Sequence, residues 1–382
     1  MTRRNALPLL LPALVSCGGR TDLDVSIFHR GSEDASTVHL GTGSPSSDAS
    51  TELDAGFAPP SCQPDGPGMT NCGAATESCC TSVEISGGTF YRTYDPLDDA
   101  GLPELSADGG PTGMTDPATV SSFRLDIYDV TVGRFRSFVN AVLPPDGGPG
   151  YMPPAGSGKH AHLNGGRGLE NGGDPGTFES GWDATWNQYV APSGTNLDCG
   201  HPFSTWTNAP SSQENLPINC VNWYEAYAFC IWDGSFLPSE AEWEYAAAGG
   251  GEQREYPWGS TAPGTMNQYA IYEDLYPPGG CSSFSNLPGV DCYAPVGTTA
   301  LGAGLWGQFD LAGEVYQWNL DWYAAYIDPC VDCAYLAEAS TRVTRGGDNA
   351  SLPPDLMPPR RNYSYSPMVR FFSIGVRCAR SP

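Results

Sequence analysis

The sequence predicts a loop-rich fold of short strands and a few short helices, stapled by disulfides, and three observations carry that expectation. Glycine and proline are abundant, 47 and 35 of 382 residues, which disfavours long helices and favours turns. Thirteen cysteines are many for a reducing compartment, so they are read as disulfides formed after export. Helical periodicity is confined to short stretches, and no apolar run approaches the roughly 20 residues of a spanning helix. The charge is lopsided, with 18 basic against 43 acidic side chains and a net −25. Such a surface repels phosphate, which excludes sequence-general nucleic-acid binding.

At the N-terminus, Arg3 and Arg4 precede an apolar stretch that ends in Leu14-Val15-Ser16-Cys17-Gly18. Basic, apolar and small-residue regions in that order make a secretory signal. It resembles a bacterial lipoprotein signal, which implies a signal segment at 1–17 with a lipidated Cys17 as membrane anchor. Gly18 shows no aspartate retention signal, so the expected destination is the outer membrane or cell surface. Residues 18–60 hold few large apolar side chains and are read as a disordered tether. Cys62, Cys72, Cys79 and Cys80 crowd a lead-in at 61–82. Without paired C-x-x-C knuckles or histidines they are read as disulfides rather than a zinc site, the vicinal pair going to two partners.

The globular part is expected over 83–382. Its first strand is placed at 83–91, with Gly87-Gly88 marking a bulge or a close backbone approach. A strand-like run at 123–128 follows. Thr131 then caps a helix over 132–142, whose Val132, Phe135, Phe138, Val139 and Val142 form one apolar face. Residues 143–217 lack periodicity, yet Trp182, Trp186 and Trp206 need burial, so this is an elaborated, stapled loop. Lys159, His160 and His162 are expected in a solvated part of it. A helix over 224–233 ends at Gly234, with Trp223, Ala226, Tyr227 and Cys230 inward. Ser239-x-x-Glu242 is a capping box, and Trp243 and Ala247 follow on the buried face. The acids here are read as capping and dipole partners, not catalytic carboxylates.

The block Trp223-x-x-Ala226 to Cys230-x-Trp232-x-Gly234, continued by Leu237-Pro-Ser-Glu-Ala-Glu-Trp-Glu-Tyr-Ala246, resembles the formylglycine-generating enzyme (sulfatase-modifying factor) family. Phe123–Thr131, Tyr256-Pro-Trp-Gly259, Pro295-Val-Gly297, Phe309–Trp318, Arg345-Gly-Gly347 and Gly375-Val-Arg-Cys378 follow in the family order. The resemblance implies an irregular α+β fold of C-type lectin-like kind. It also implies a disulfide between Cys230 and Cys378. Cys199, Cys220, Cys281 and Cys292 are left as further candidates without assigned connectivity. Cys330-x-x-Cys333 is read as structural, bonded to itself or to separate partners.

The family's oxidase holds copper on two cysteines after Arg-Gly-Gly and activates oxygen toward a sulfatase cysteine. Here no cysteine lies between Cys333 and Cys378, and Ser351 and Leu356 stand in the two slots. Neither replaces a copper thiolate, so copper is not expected. Nor do the histidines, at 29, 39, 160, 162 and 201, form the iron motif of the sulfur-inserting branch. Calcium is expected by position in two sets. One has the Asp310 and Gln317 side chains with the Gly313 and Val315 carbonyls; the other has Asn267, the Gln268 carbonyl, Asp291 and the Tyr293 carbonyl.

Two functions follow. The first is a surface-anchored, non-catalytic module whose aromatic insert, 151–206, binds a peptide, protein or glycan. The alternative is a divergent formylglycine-generating-type oxidoreductase acting on a protein or peptide thiol, with a metal recruited at Asp348, Asn349 or Asp355.

Overall fold

The computed structural model describes residues 58–73, 77–95, 112–278, 280–281, 289–361 and 364–382. All of them belong to the unit Gly56–Pro382. Cys17, the signal and the tether up to residue 57 lie outside the described residues.

The elements are short, because glycine and proline interrupt the runs. Strands β1 (Ser82–Ile85), β2 (Gly88–Asp95), β3 (Thr112–Val120) and β4 (Phe123–Asp126) lead into helix α1 (Val132–Val142). The insert contributes β5 (Glu170–Asn171) and α2 (Gly194–Asp198), and is followed by α3 (Trp223–Trp232) and α4 (Glu240–Ala247). The rest of the chain adds β6 (Tyr316–Trp322), β7 (Cys330–Val331), β8 (Cys333–Ala334) and β9 (Arg342–Arg345). Last come β10 (Ser364–Tyr365), β11 (Ile374–Gly375) and β12 (Ala379–Arg380). They form small sheets ordered β1-β4-β12, β10-β9-β6-β11, β2-β3-β7 and β5-β8.

The single strand expected at 83–91 is two strands in different sheets. β1 pairs with β4, whereas β2 pairs with β3. The break falls at the glycines because neighbours press on the backbone there. A Cβ on Gly87 would stand 2.4 Å from the Val120 carbonyl oxygen, and one on Gly88 would stand 2.5 Å from the Tyr245 hydroxyl. Helix α1 is placed as expected: Thr131 accepts the Arg134 N–H, and Val132, Phe135, Phe138 and Val142 are buried. Phe135 and Phe138 meet Phe229 of α3, with ring centroids 5.5 and 5.7 Å away. Helix α3 starts one residue early, at Trp223, because Asn222 and Glu225 form a capping box the sequence reading passed over. It is buried from Trp223 to Cys230, a core helix rather than an amphipathic one. The Ser239/Glu242 box of α4 is present, and Trp243 and Ala247 are buried.

Six disulfides account for every cysteine from Cys62 to Cys378: 62–80, 72–79, 199–220, 230–378, 281–292 and 330–333. Vicinal Cys79 and Cys80 take different partners, and Cys330 and Cys333 take each other. The bond from Cys230 of α3 to Cys378 spans 148 residues. Closing so long a loop stabilises by about 4–5 kcal/mol on the chain-entropy argument.

Beside that bond lies a cluster of four charges, three of them fully buried. Arg134 of α1 reaches Asp126 at 3.0 Å and Asp233 at 2.7 Å, and Arg380 of β12 reaches the same carboxylates at 3.3 and 2.9 Å. The Ser61 N–H donates to Asp233 at 3.0 Å, and Arg134 donates to the Ser61 hydroxyl and the Cys79 carbonyl, which fastens the Cys-rich lead-in. Replacing Asp233 with alanine leaves two guanidinium groups sharing one carboxylate in the interior. That change is expected to cost about 3–5 kcal/mol. Glu252→Ala, which breaks the more exposed pair with Arg254, is expected to cost about 1 kcal/mol or less. Urea denaturation of the two variants beside wild type measures both.

Candidate functional site

Strand β9 delivers the loop that would carry the chemistry. It pairs with β6, setting Arg345 opposite Gln317, and then turns through Gly346 and Gly347 at φ of 103° and 80°. Those angles favour glycine, and a Cβ on Gly346 would press on the Leu311 carbonyl at 3.1 Å. Arg345 fixes where the turn begins. It is fully buried, paired with Glu244 and, at 3.7 Å, with Glu240, and it donates to the Arg360 carbonyl at 2.8 Å. Arg361 holds Glu240 from the other side at 2.6 Å. The α4 carboxylates are therefore ion-pair anchors as well as capping groups, a role sequence spacing could not show.

The slot beyond Gly347 is filled. Leu356 and Met357 are buried against Tyr256, Ala270, Tyr272 and Ala312. A Cβ on Gly347 would already stand 3.2 Å from Leu356 and 3.3 Å from the Ser351 hydroxyl. Ser351 is 6% exposed. Its hydroxyl donates to Asp348 at 2.7 Å, accepts the Asp348 N–H at 2.9 Å and lies 3.1 Å from the Tyr316 hydroxyl. Burial raises the Asp348 carboxyl above its ordinary range, and burial with the nearby Asp348 does the same to Asp274. Asp355 lies 3.7 Å from Arg360, and Asn349 gives its N–H to the Glu314 carbonyl. Among the described residues no three His, Cys, Asp or Glu side chains converge as a metal site. A serine held by a carboxyl, against an aliphatic wall, offers neither a soft metal ligand nor a paired imidazole base.

A family model described as the sulfatase-modifying factor enzyme 1-like domain matches residues 70–382. The chain belongs to this family. The formylglycine-generating enzyme of Thermomonospora curvata is 31% identical over 261 residues, 64% of this chain and 72% of that protein. A Bos taurus protein named inactive C-alpha-formylglycine-generating enzyme 2 is 30% identical over 300 residues, 70% of this chain and 84% of that one. Among solved structures, PvdO from Pseudomonas aeruginosa aligns over 84% of this chain and 100% of that chain, at 20% identity and a TM-score of 0.47. The irregular α+β architecture is the formylglycine-generating-enzyme fold, C-type lectin-like and poor in regular structure.

In the first calcium set, Gln317 is already engaged at both ends of its carboxamide. The Gln317 carboxamide oxygen accepts from Trp243 at 2.7 Å and Arg377 at 3.1 Å, and its NH2 donates to the Asp310 carbonyl. The Asp310 carboxylate accepts the Gly297 N–H at 2.7 Å and the Thr299 hydroxyl at 3.3 Å. Gly313 and Val315 sit in the same turn, buried under Ile271 and the β6 core. In the second set, the Gln268 carbonyl accepts the Leu301 N–H and Asp291 is exposed. The Tyr293 hydroxyl donates to the Phe372 carbonyl, and the Asn267 side-chain oxygen is buried without a partner. That oxygen suits a hard cation, as does the buried, unpartnered Glu314 oxygen beside Asp310.

His160 is the largest correction. Instead of lying in a solvated loop it is fully buried, its Nδ1 3.0 Å from Glu179 and its Nε2 3.0 Å from Glu242. Phe236 packs on the ring, 3.9 Å away between centroids. Burial opposes the imidazolium, but Glu242 and Glu179 outweigh it and push its pKa up to about 10. The insert is therefore bolted to the capping residue of α4. Nothing periodic surrounds His160 in the sequence, so no local signal could have revealed it. The insert's Trp182 is buried, Trp206 lies under the Arg136 guanidinium at 4.3 Å, and Trp186 is half-buried.

A pKa raised on folding stabilises the fold fully below the unfolded value, near 6.5, and that contribution is lost as pH climbs to the folded value. His160→Gln is therefore expected to destabilise most at pH 6. The gap to wild type should narrow through pH 8 and be nearly closed near pH 10. Urea denaturation at the three pH values measures it, and a gap independent of pH would mean the imidazolium is not the source.

Proposed function

We propose that this chain is an exported, surface-anchored binding module that keeps the formylglycine-generating scaffold and has given up its copper chemistry. One observation carries the reading: the place after Arg345-Gly346-Gly347 holds a hydrogen-bonded Ser351 and a buried Leu356, and among the described residues no thiol is left to replace them. Every cysteine among the described residues is in a disulfide. Copper(I) binding needs soft thiolate donors, and a hydroxyl with an isobutyl side chain supplies none. The similarity to a bovine protein whose name marks it inactive is compatible with this reading.

Export and anchoring rest on the run from Arg3 to Cys17 and on the six-bond cysteine pattern of an oxidising compartment. With Cys17 acylated, it is the single cysteine left out of the disulfides. The ligand classes that suit an aromatic insert on an acidic scaffold are peptides, proteins and glycans.

Thiol titration of the unreduced chain in denaturant, after removal of residues 1–60, is expected to find no free thiol. Copper(I) titration is expected to show no tight site. Oxygen consumption with a sulfatase-type cysteine peptide is expected to stay at background. Copper at one equivalent with turnover would overturn the non-catalytic reading and favour the oxidoreductase.

A further inference from the structure

A cavity of about 340 Å³ lies away from the Gly347 slot, bordered by the insert, α3, β6 and β9. Trp186, Trp223, Tyr224 and Trp322 line it, together with two buried ionic side chains of opposite sign, Arg342 and Glu179.

Arg342 stands apart from the other buried arginines of the described residues. Arg92, Arg134, Arg345 and Arg377 each have a carboxylate partner, and Arg342 has none within 4.0 Å. It is only 4% exposed. Trp223 and Trp322 sandwich its guanidinium, each ring 3.7 Å away, so only its edge can meet another group. One edge nitrogen donates to the Leu320 carbonyl, while Nε is buried without an acceptor. Burial pulls its pKa down to about 9, the cost of a cation left without an anion. The carboxylate whose charge acts most on it is already engaged, since Asp321 accepts the N–H groups of Glu240 and Tyr335.

Glu179 presents the complementary vacancy. Its Oε2 is spent on His160 and on the Leu169 N–H, and its Oε1 is buried with no donor. Asp183 and Glu338 line the same cavity and are exposed, so its mouth is acidic.

We propose that this cavity binds a small amino-acid-like zwitterion. Its carboxylate meets the open edge of Arg342, its ammonium meets Glu179 Oε1, and its side chain lies along Trp186 and Tyr224. A guanidinium edge matches a carboxylate, and the ammonium would supply the donor that Glu179 Oε1 lacks beside its His160 pair. A plain anion would leave Glu179 unanswered and face a negative mouth; a plain cation would face Arg342. The volume holds one amino acid and excludes a folded partner. This deepens the binding-module reading and rests on it for the view that recognition, not turnover, is the task.

Isothermal titration of the purified, detergent-solubilised full chain with each of the twenty common amino acids is the test. At least one is expected to bind saturably. Its carboxamide and its des-amino analogue should each bind at least tenfold more weakly. Trp186→Ala, at a half-buried position, should weaken binding several-fold, and Arg342→Met should abolish it. If Arg342→Met does not fold, the two analogues on wild type decide. No binding by any amino acid up to 10 mM, or equal binding of both analogues, overturns the proposal, as does a saccharide binding in its place. A failure here leaves the copper and thiol results standing, whereas copper turnover would remove the module reading without touching a measured amino-acid affinity.

Discussion

Two arginines and two aspartates, buried except for a partly exposed Arg380, hold the architecture together where the Cys-rich lead-in meets the last strand. Arg134 and Arg380 share Asp126 and Asp233, so the cluster is neutral and each carboxylate is used twice. It joins α1, β4, the end of α3 and the last strand. The Cys230–Cys378 bond closes the same junction covalently, three residues before Asp233 and two before Arg380. The ladder between β4 and β12 crosses the same junction, but it is only two residue pairs long. Separating either arginine from these carboxylates would leave a charge without its partner in the interior, which penalises arrangements that break the cluster.

That junction is built from residues other than those of the reaction slot. The slot hangs from β9 and is positioned by Arg345 with Glu240 and Glu244, and its floor is aliphatic. Ser351 and Leu356 pack and hydrogen-bond within this slot without reaching that junction. The family fold can persist where the family chemistry has no ligands.

What the sequence disclosed and what it hid divide by range. Helix α1, the Ser239 capping box and the buried face of α4 rest on residues three or four apart, and periodicity reveals such neighbours. The split between β1 and β2 turned on Val120 and Tyr245 pressing on two glycines from afar. His160 meets partners 19 and 82 residues away, in a stretch where glycine and proline erase any period. Arg134 and Asp233 are 99 residues apart. The family motifs reached further, because they mark positions whose long-range partners a shared fold has already arranged. They located the turn after Arg345 and the Cys230–Cys378 bond, yet said nothing of how the insert would be fastened.

Strand β9 shows how close the silent and the open sites lie. Its four residues, Arg342 to Arg345, alternate faces, so its two arginines point to opposite sides. Arg345 enters the carboxylates of α4 and is neutralised within the protein. Arg342 enters an aromatic cavity where every nearby carboxylate is engaged elsewhere or held beyond 4.0 Å. Were Arg342 only a packing element, methionine or leucine would fill the space between Trp223 and Trp322 without the cost of burying a charge. A guanidinium kept there with an open edge, in the same cavity as a glutamate with one oxygen left over from its His160 pair, offers two hydrogen-bonding vacancies that a single small zwitterion can fill together.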